Sequence, residues 1–93
     1  GREEVPLLLR ALVERFARES QRDPIRFSDE ALEFLTLYHW PGNARQLANE
    51  LRRLLALAEP GALVMPEHLS PEIVASRRHR PARGAGEAEL LVR

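Results

Sequence analysis

Apolar side chains at Val5, Leu8, Leu9, Leu12, Val13 and Phe16 recur at intervals of three and four, the spacing of one buried helical face. Pro6 suits the first turn of such a helix, and Glu3 and Glu4 sit favourably at its positive end. Glu14 with Arg18, and Arg15 with Glu19, lie four apart on the outer side. Asp23-Pro24 is predicted to end this helix, with Ile25 and Phe27 tucked back beneath it. Ser28 caps a second helix, with Asp29 and Glu30 in its first turn and Ala31, Leu32, Phe34, Leu35 and Tyr38 as its apolar set. A third helix runs from Ala44 to about Ala58. Its stripe is Leu47, Ala48, Leu51, Leu54, Leu55 and Ala58, and Gln46, Asn49, Glu50, Arg52 and Arg53 are expected to face outward. Pro60-Gly61 stops it. Ala62 to Met65 reads as a short extended segment, Pro66 to Leu69 as a turn, and Ser70-Pro71-Glu72 as the cap of a brief fourth helix through about Arg77. Thereafter Arg, Gly, Ala and Pro dominate with few apolar anchors, which reads as linker. The pattern predicts an all-α bundle of three to four helices with a flexible C-terminal tail: residues 1–69 as one unit, residues 70–93 as a short helix and linker.

Between the second and third helices lies Trp40-Pro41-Gly42-Asn43-Ala44-Arg45-Gln46-Leu47. Pro41 biases Trp40 away from the helical region, so the second helix should stop there. Gly42 is able to take a positive φ. Asn43 is expected to be the N-cap, with Gln46 completing a pair like a capping box. Arg45 then falls at about the second helical position, its charge opposed to the positive end of the helix dipole. A cation placed beside free backbone N–H groups suits an anion held between them, and phosphate is the obvious candidate. From spacing alone, however, a surface arginine is the simpler reading. Trp40, the only tryptophan, is expected to plug the core between the two helices.

Composition narrows the options. Ninety-three residues allow one small domain. Residues 1–69 carry nine Arg against eleven Asp plus Glu, a net of −2, whereas residues 70–93 carry five Arg against three Glu, a net of +2. A mildly acidic body argues against nucleic-acid binding by the bundle itself. No apolar run approaches a membrane span. Zero Cys rules out disulfides and suits a cytoplasmic setting. His39, His68 and His79 fall at unrelated spacings, so no metal site is expected. All fourteen cations are Arg; without a lysine there is no P-loop, and no nucleophile–base or paired-carboxylate constellation stands out.

Three motifs in order carry a family resemblance: Arg2-Glu3-Glu4-Val5-Pro6-Leu7-Leu8, then Ser28-Asp29-Glu30-Ala31-Leu32-Glu33, then Trp40 to Leu47. From about Arg2 to Leu69 the chain resembles the helical lid of sigma-54-dependent transcriptional activators, the NtrC-like AAA+ ATPases. The resemblance implies that Arg45 is the sensor arginine reaching the γ-phosphate of ATP, and that Trp40, Pro41, Gly42 and Asn43 form the structural turn that presents it. It places Ala44 on the adenine side, where the family usually has Val or Ile, and Gln46 where Glu is commoner. ATP with magnesium is implied for the parent protein, with nothing binding tightly to this piece alone, which is not expected to be an enzyme. The implied partners are the AAA+ core of the same chain, neighbouring subunits of a homo-oligomeric ring, sigma-54 RNA polymerase, and promoter-upstream DNA through a domain beyond the chain.

A rival reading stays open. The second and third helices with their tight turn also imitate a free-standing helix-turn-helix DNA-binding module, with Arg45, Gln46 and Asn49 at the start of a recognition helix. Against it, Glu33 and Glu50 would then sit near phosphates. The basic run from Arg77 to Arg83 reads as a solvated tether, with DNA phosphates as its alternative partner.

Overall fold

The computed structural model describes residues 4–79. Helices α1 (Glu4–Ser20), α2 (Asp29–Leu37), α3 (Asn43–Leu57) and α4 (Pro71–His79) pack as a small bundle. Two short strands, β1 (Arg26–Phe27) and β2 (Leu63–Val64), pair in parallel, Arg26 opposite Leu63 and Phe27 opposite Val64. A single 3-10 turn, Pro66–His68, leads into α4. Helix α4 runs to His79, two residues past the expected end at about Arg77, and so takes in the start of the basic run; the rest of that run and of the expected linker, from residue 80 on, lies outside the described residues.

The periodic faces are the buried ones. Leu9 and Phe16 from α1, Ala31, Phe34 and Leu35 from α2, and Leu47, Leu51 and Leu54 from α3 form one core with Ile25, Val64, Leu69 and Ile73. Val5, Leu8, Leu12, Val13 and Phe27 pack against its edge. Ile25 and Phe27 thus tuck inward as expected, because β1 pairs with β2 and closes the open side of the bundle. Ile73, only 1% exposed, makes α4 an integral wall that packs chiefly on α2.

Helix ends are satisfied by side chains, some from far away. The Ser28 hydroxyl accepts from Ala31 N–H at 3.0 Å, the N-cap anticipated for α2. The first helix stops earlier than Asp23. Gln21 adopts φ 55°, and the N–H groups of Gln21 and Arg22 turn back to the carbonyls of Arg18 and Ala17, the pattern of a Schellman cap. Arg22 then reaches across to the C-terminus of α3, donating to Leu55 O at 3.3 Å and Ala58 O at 2.8 Å. A guanidinium there satisfies orphan carbonyls and complements the negative end of the helix dipole.

Glu50 corrects the outward face assigned to α3. It is 6% exposed and accepts from Ser70 N–H at 2.9 Å and from the Ser70 hydroxyl, while Arg53 donates to it at 2.9 Å. Ser70 caps α4 through its carbonyl, which accepts from Ile73 and Val74 N–H, and its hydroxyl is spent on Glu50. Arg53 also donates to His68 O at 2.6 Å, completing a clasp between α3 and the start of α4. Burial pushes the Glu50 carboxyl up, but the hydrogen bonds from Arg53 and Ser70 outweigh it and hold the group below its usual 4.5. Ionised Glu50 therefore favours the folded state at neutral pH. That contribution is lost as the pH falls below about 4.5 and through the depressed folded value. Replacing Glu50 with Gln should cost about 1–3 kcal/mol at pH 7, as expected for hydrogen bonds to a charged acceptor, part of it screened because Arg53 is partly exposed. Melts of both proteins from pH 7 to pH 3 test this: the gap should narrow on acidification, and a gap independent of pH would exclude the ionised carboxylate as its source.

Candidate functional site

The α2–α3 turn is built by residues that lock one another. Tyr38 ends α2, its N–H bonded to Phe34 O. Trp40 is 7% exposed and donates its indole N–H to Leu35 O at 2.8 Å, so the ring plugs the core and its polar edge is satisfied. Tyr38 meets it edge-to-face with ring centroids 4.9 Å apart. Trp40 itself takes φ 50° and Asn43 φ 55°, while Gly42 has φ −91°. A positive φ costs a residue with a Cβ roughly 1–2 kcal/mol, so this turn persists only because its surroundings hold it.

Two expectations for the turn are corrected here. Gly42 needs no positive φ, and the position that does is Asn43, one of the few side chains that tolerates it. Asn43 is not the N-cap: Gly42 occupies that place, its carbonyl accepting from Gln46 N–H at 3.2 Å. The reciprocal bond exists in altered form, with Gln46 Oε1 accepting from Gly42 N–H at 2.8 Å. Glycine is required by close approach, since a Cβ at residue 42 would stand 2.8 Å from Gln46 Cβ. Gly42→Ala should therefore destabilise the bundle by about 1–3 kcal/mol, the usual penalty of overpacking. A melting temperature unchanged from wild type would mean that the turn yields freely.

Beside this turn lies a cleft of about 820 Å³. Val5 and Leu8 from α1, Leu37 at the end of α2, Trp40 from the turn, and Ala44 and Leu47 from α3 give it apolar walls. Thr36, Tyr38, His39 and Asn43 border the same space. Arg45 is exposed in the first turn of α3, and among the described residues it has no ion pair or side-chain hydrogen bond. Trp40, Asn43 and Ala44 thus line the cleft, while Gly42 and the exposed Arg45 flank them along the chain. The apolar walls suit a flat apolar group such as a base, with Glu4 also on the border, and the Arg45 guanidinium, outside the lining, is open to an anion. No group of three or more His, Cys, Asp or Glu side chains that would hold a metal occurs among the described residues, so a magnesium ion would need ligands from elsewhere.

The capping pair expected of Gln46 is present with Gly42 in place of Asn43, and the bond from Gln46 to Tyr38 is the part that the sequence does not announce. The Gln46 carboxamide is half-buried between Gly42 and Tyr38 Oη, to which Nε2 donates at 3.4 Å. The three-residue spacing from Asn43 is the signal for this pair, but the donating partner, Gly42 N–H, is one residue earlier.

The AAA+ ATPase lid domain family matches residues 2–85. The chain is 34% identical over 88 residues to Regulatory protein AtoC of Escherichia coli (strain K12), covering 95% of this chain and 18% of that protein. It is also 34% identical over 91 residues to the DNA-binding transcriptional regulator NtrC of Rhizobium meliloti (strain 1021), covering 95% of this chain and 19% of NtrC. The crystal structure of NtrX from Brucella abortus in complex with ATP superposes with a TM-score of 0.70 at 33% identity, over 98% of this chain and 22% of NtrX. The chain thus spans about a fifth of the length of these proteins. A helix-turn-helix reading of α2 and α3 gives way to these matches, because the family that covers both helices is a lid. The chain belongs to the AAA+ ATPase lid domain family, in the form found in NtrC-like transcriptional regulators.

Proposed function

We propose that this chain is the nucleotide-sensing lid of an ATP-driven activator of sigma-54 RNA polymerase. Arg45 reaches the γ-phosphate, Ala44 lies on the adenine side of the cleft, and Trp40, Pro41, Gly42 and Asn43 present both. The observation that carries this reading is an exposed arginine without a partner among the described residues, one position after Ala44 in the wall of an apolar cleft. Supporting it, NtrX, to which the chain is similar in structure, was crystallised in complex with ATP.

On this reading the lid folds over ATP bound to the AAA+ core of the same chain, and the core supplies the P-loop and the magnesium ligands. ATP, when bound there, supplies the phosphoryl group whose hydrolysis drives the ring. The lid's own residues bind and orient: the cleft walls exclude water from one side of the nucleotide, and Arg45 balances phosphate charge. Residues 1–69 carry the cleft and the sensor turn of the lid, and α4 completes its core through Ile73. Residues 70–93 lead through α4 toward a DNA-binding domain beyond the chain, and the Glu50–Ser70 clasp makes the start of α4 move with the lid. Neighbouring subunits of a homo-oligomeric ring and sigma-54 RNA polymerase are the partners, in the cytoplasm. No helix among the described residues is long and apolar enough to cross a membrane. The test is ATP turnover by the full-length regulator with and without the Arg45 guanidinium. Loss of turnover with an intact fold supports the sensor, and unchanged turnover removes it.

A further inference from the structure

Two residues with a Cβ take positive φ within four positions of the α2–α3 turn, Trp40 at 50° and Asn43 at 55°, and Arg45 follows two residues later. Backbone of this kind needs restraints. Trp40 is restrained by its indole bond to Leu35 O, and Asn43 N–H returns to Trp40 O at 2.9 Å. The remaining restraint is Gln46. Its backbone N–H donates to Gly42 O at 3.2 Å, its Oε1 accepts from Gly42 N–H at 2.8 Å, and its Nε2 donates to Tyr38 Oη at 3.4 Å. One side chain thus ties the first turn of α3 both to the turn and to the end of α2.

Neighbouring helical residues do not face each other, and no bond joins Gln46 to Arg45 among the described residues. Whatever Gln46 does for Arg45, it does through the backbone. Resting on the assignment of Arg45 as the phosphate sensor, we infer that Gln46 is a positioning residue: its carboxamide clamps the strained turn and so fixes where the Arg45 guanidinium points. Released, the turn relaxes toward ordinary φ values, and Arg45, two residues beyond Asn43, swings with it. A displacement near 1 Å at a group that orients a reacting phosphate is enough to cost up to about a hundredfold in rate.

A double-mutant cycle on the full-length regulator separates positioning from simple support, because a residue acting only through Arg45 has nothing to lose once Arg45 is gone. In the wild-type background Gln46→Ala should lower kcat for ATP about tenfold with KM changed less than threefold. In the Arg45→Ala background the same substitution should change neither. Gln46→Glu should recover most of the turnover, since a carboxylate accepts the same Gly42 N–H and accepts the Tyr38 hydroxyl proton in place of donating to it. Tyr38→Phe keeps the ring and serves if Gln46→Ala does not fold: it should cost two- to threefold, again only when Arg45 is present. An equal loss in both backgrounds, or no loss from either variant while Arg45→Ala is impaired, overturns the positioning role alone. Wild-type turnover in Arg45→Ala overturns instead the sensor assignment beneath it.

Discussion

Trp40→Ala should lower the melting temperature of the lid by roughly 15–30 °C, the drop that a loss of ~3–5 kcal/mol produces in a domain of this size. Three losses combine. The indole fills the core between α2 and α3 at 7% exposure, so truncation leaves a cavity that Leu35, Leu47 and Tyr38 cannot close without moving. Its N–H is the donor to Leu35 O in a buried setting, and that carbonyl is left without it. The edge-to-face contact with Tyr38 disappears as well, removing a further 0.5–1.5 kcal/mol or so. Alanine still suffers the positive φ at residue 40, so no strain is relieved in compensation. A total stability of about 5–10 kcal/mol is normal for a chain this short, and the variant should be partly unfolded at 37 °C. Thermal melts by circular dichroism measure it. A shift of one or two degrees would mean that the core does not depend on this ring.

Arg45→Ala should do the opposite, sparing the fold and damaging function. The side chain is exposed and, among the described residues, bonded to nothing, so the melting temperature of the lid should hold within a degree or two. Removing a cation from the first turn of α3 even relieves a small conflict with the helix dipole. A charge-assisted bond from a guanidinium to phosphate in a closed site is worth about 1.5–3 kcal/mol, so ATP turnover by the full-length regulator should fall by roughly ten- to a hundredfold. Transcription activation should fall with it. Arg45→Lys should recover little, because an ammonium is a point charge on a different stem and lacks the planar fork. Each variant needs its melt measured beside its rates. A stable Arg45→Ala protein with wild-type turnover would reduce Arg45 to a surface cation.

Helix phase, the start of α2 and the site of the turn were legible along the chain because each depends on residues a few positions apart. The three- and four-residue recurrence from Val5 to Phe16 and from Leu47 to Leu54 is the buried face, and Ser28 caps α2 through Ala31, three residues on. Helix α2 ends at Leu37, three residues before the stop expected at Trp40, and the order of motifs from Arg2 to Leu47 carried the family that residues 2–85 match.

Packing decided the rest. Glu50 stands three residues after Leu47 and four before Leu54, squarely on the apolar stripe, yet a carboxylate on its own argues for solvent. What makes burial tolerable is Ser70, 20 residues away, together with Arg53. Arg22 likewise looks like one more surface cation until the fold brings the end of α3 to it, across 33 and 36 residues of chain. In the turn, local rules named suitable residues but exchanged their tasks. Asn43 took the positive φ and Gly42 the close approach, because the buried Trp40 ring and the Gln46 carboxamide fix the path between α2 and α3. Local chemistry is thus enough to set a helix, a cap or a breaker. The burial of a charge and the conformation of a strained turn depend on partners that only chain closure brings within hydrogen-bond reach, where the desolvation cost of an unpaired polar group makes the pairing obligatory.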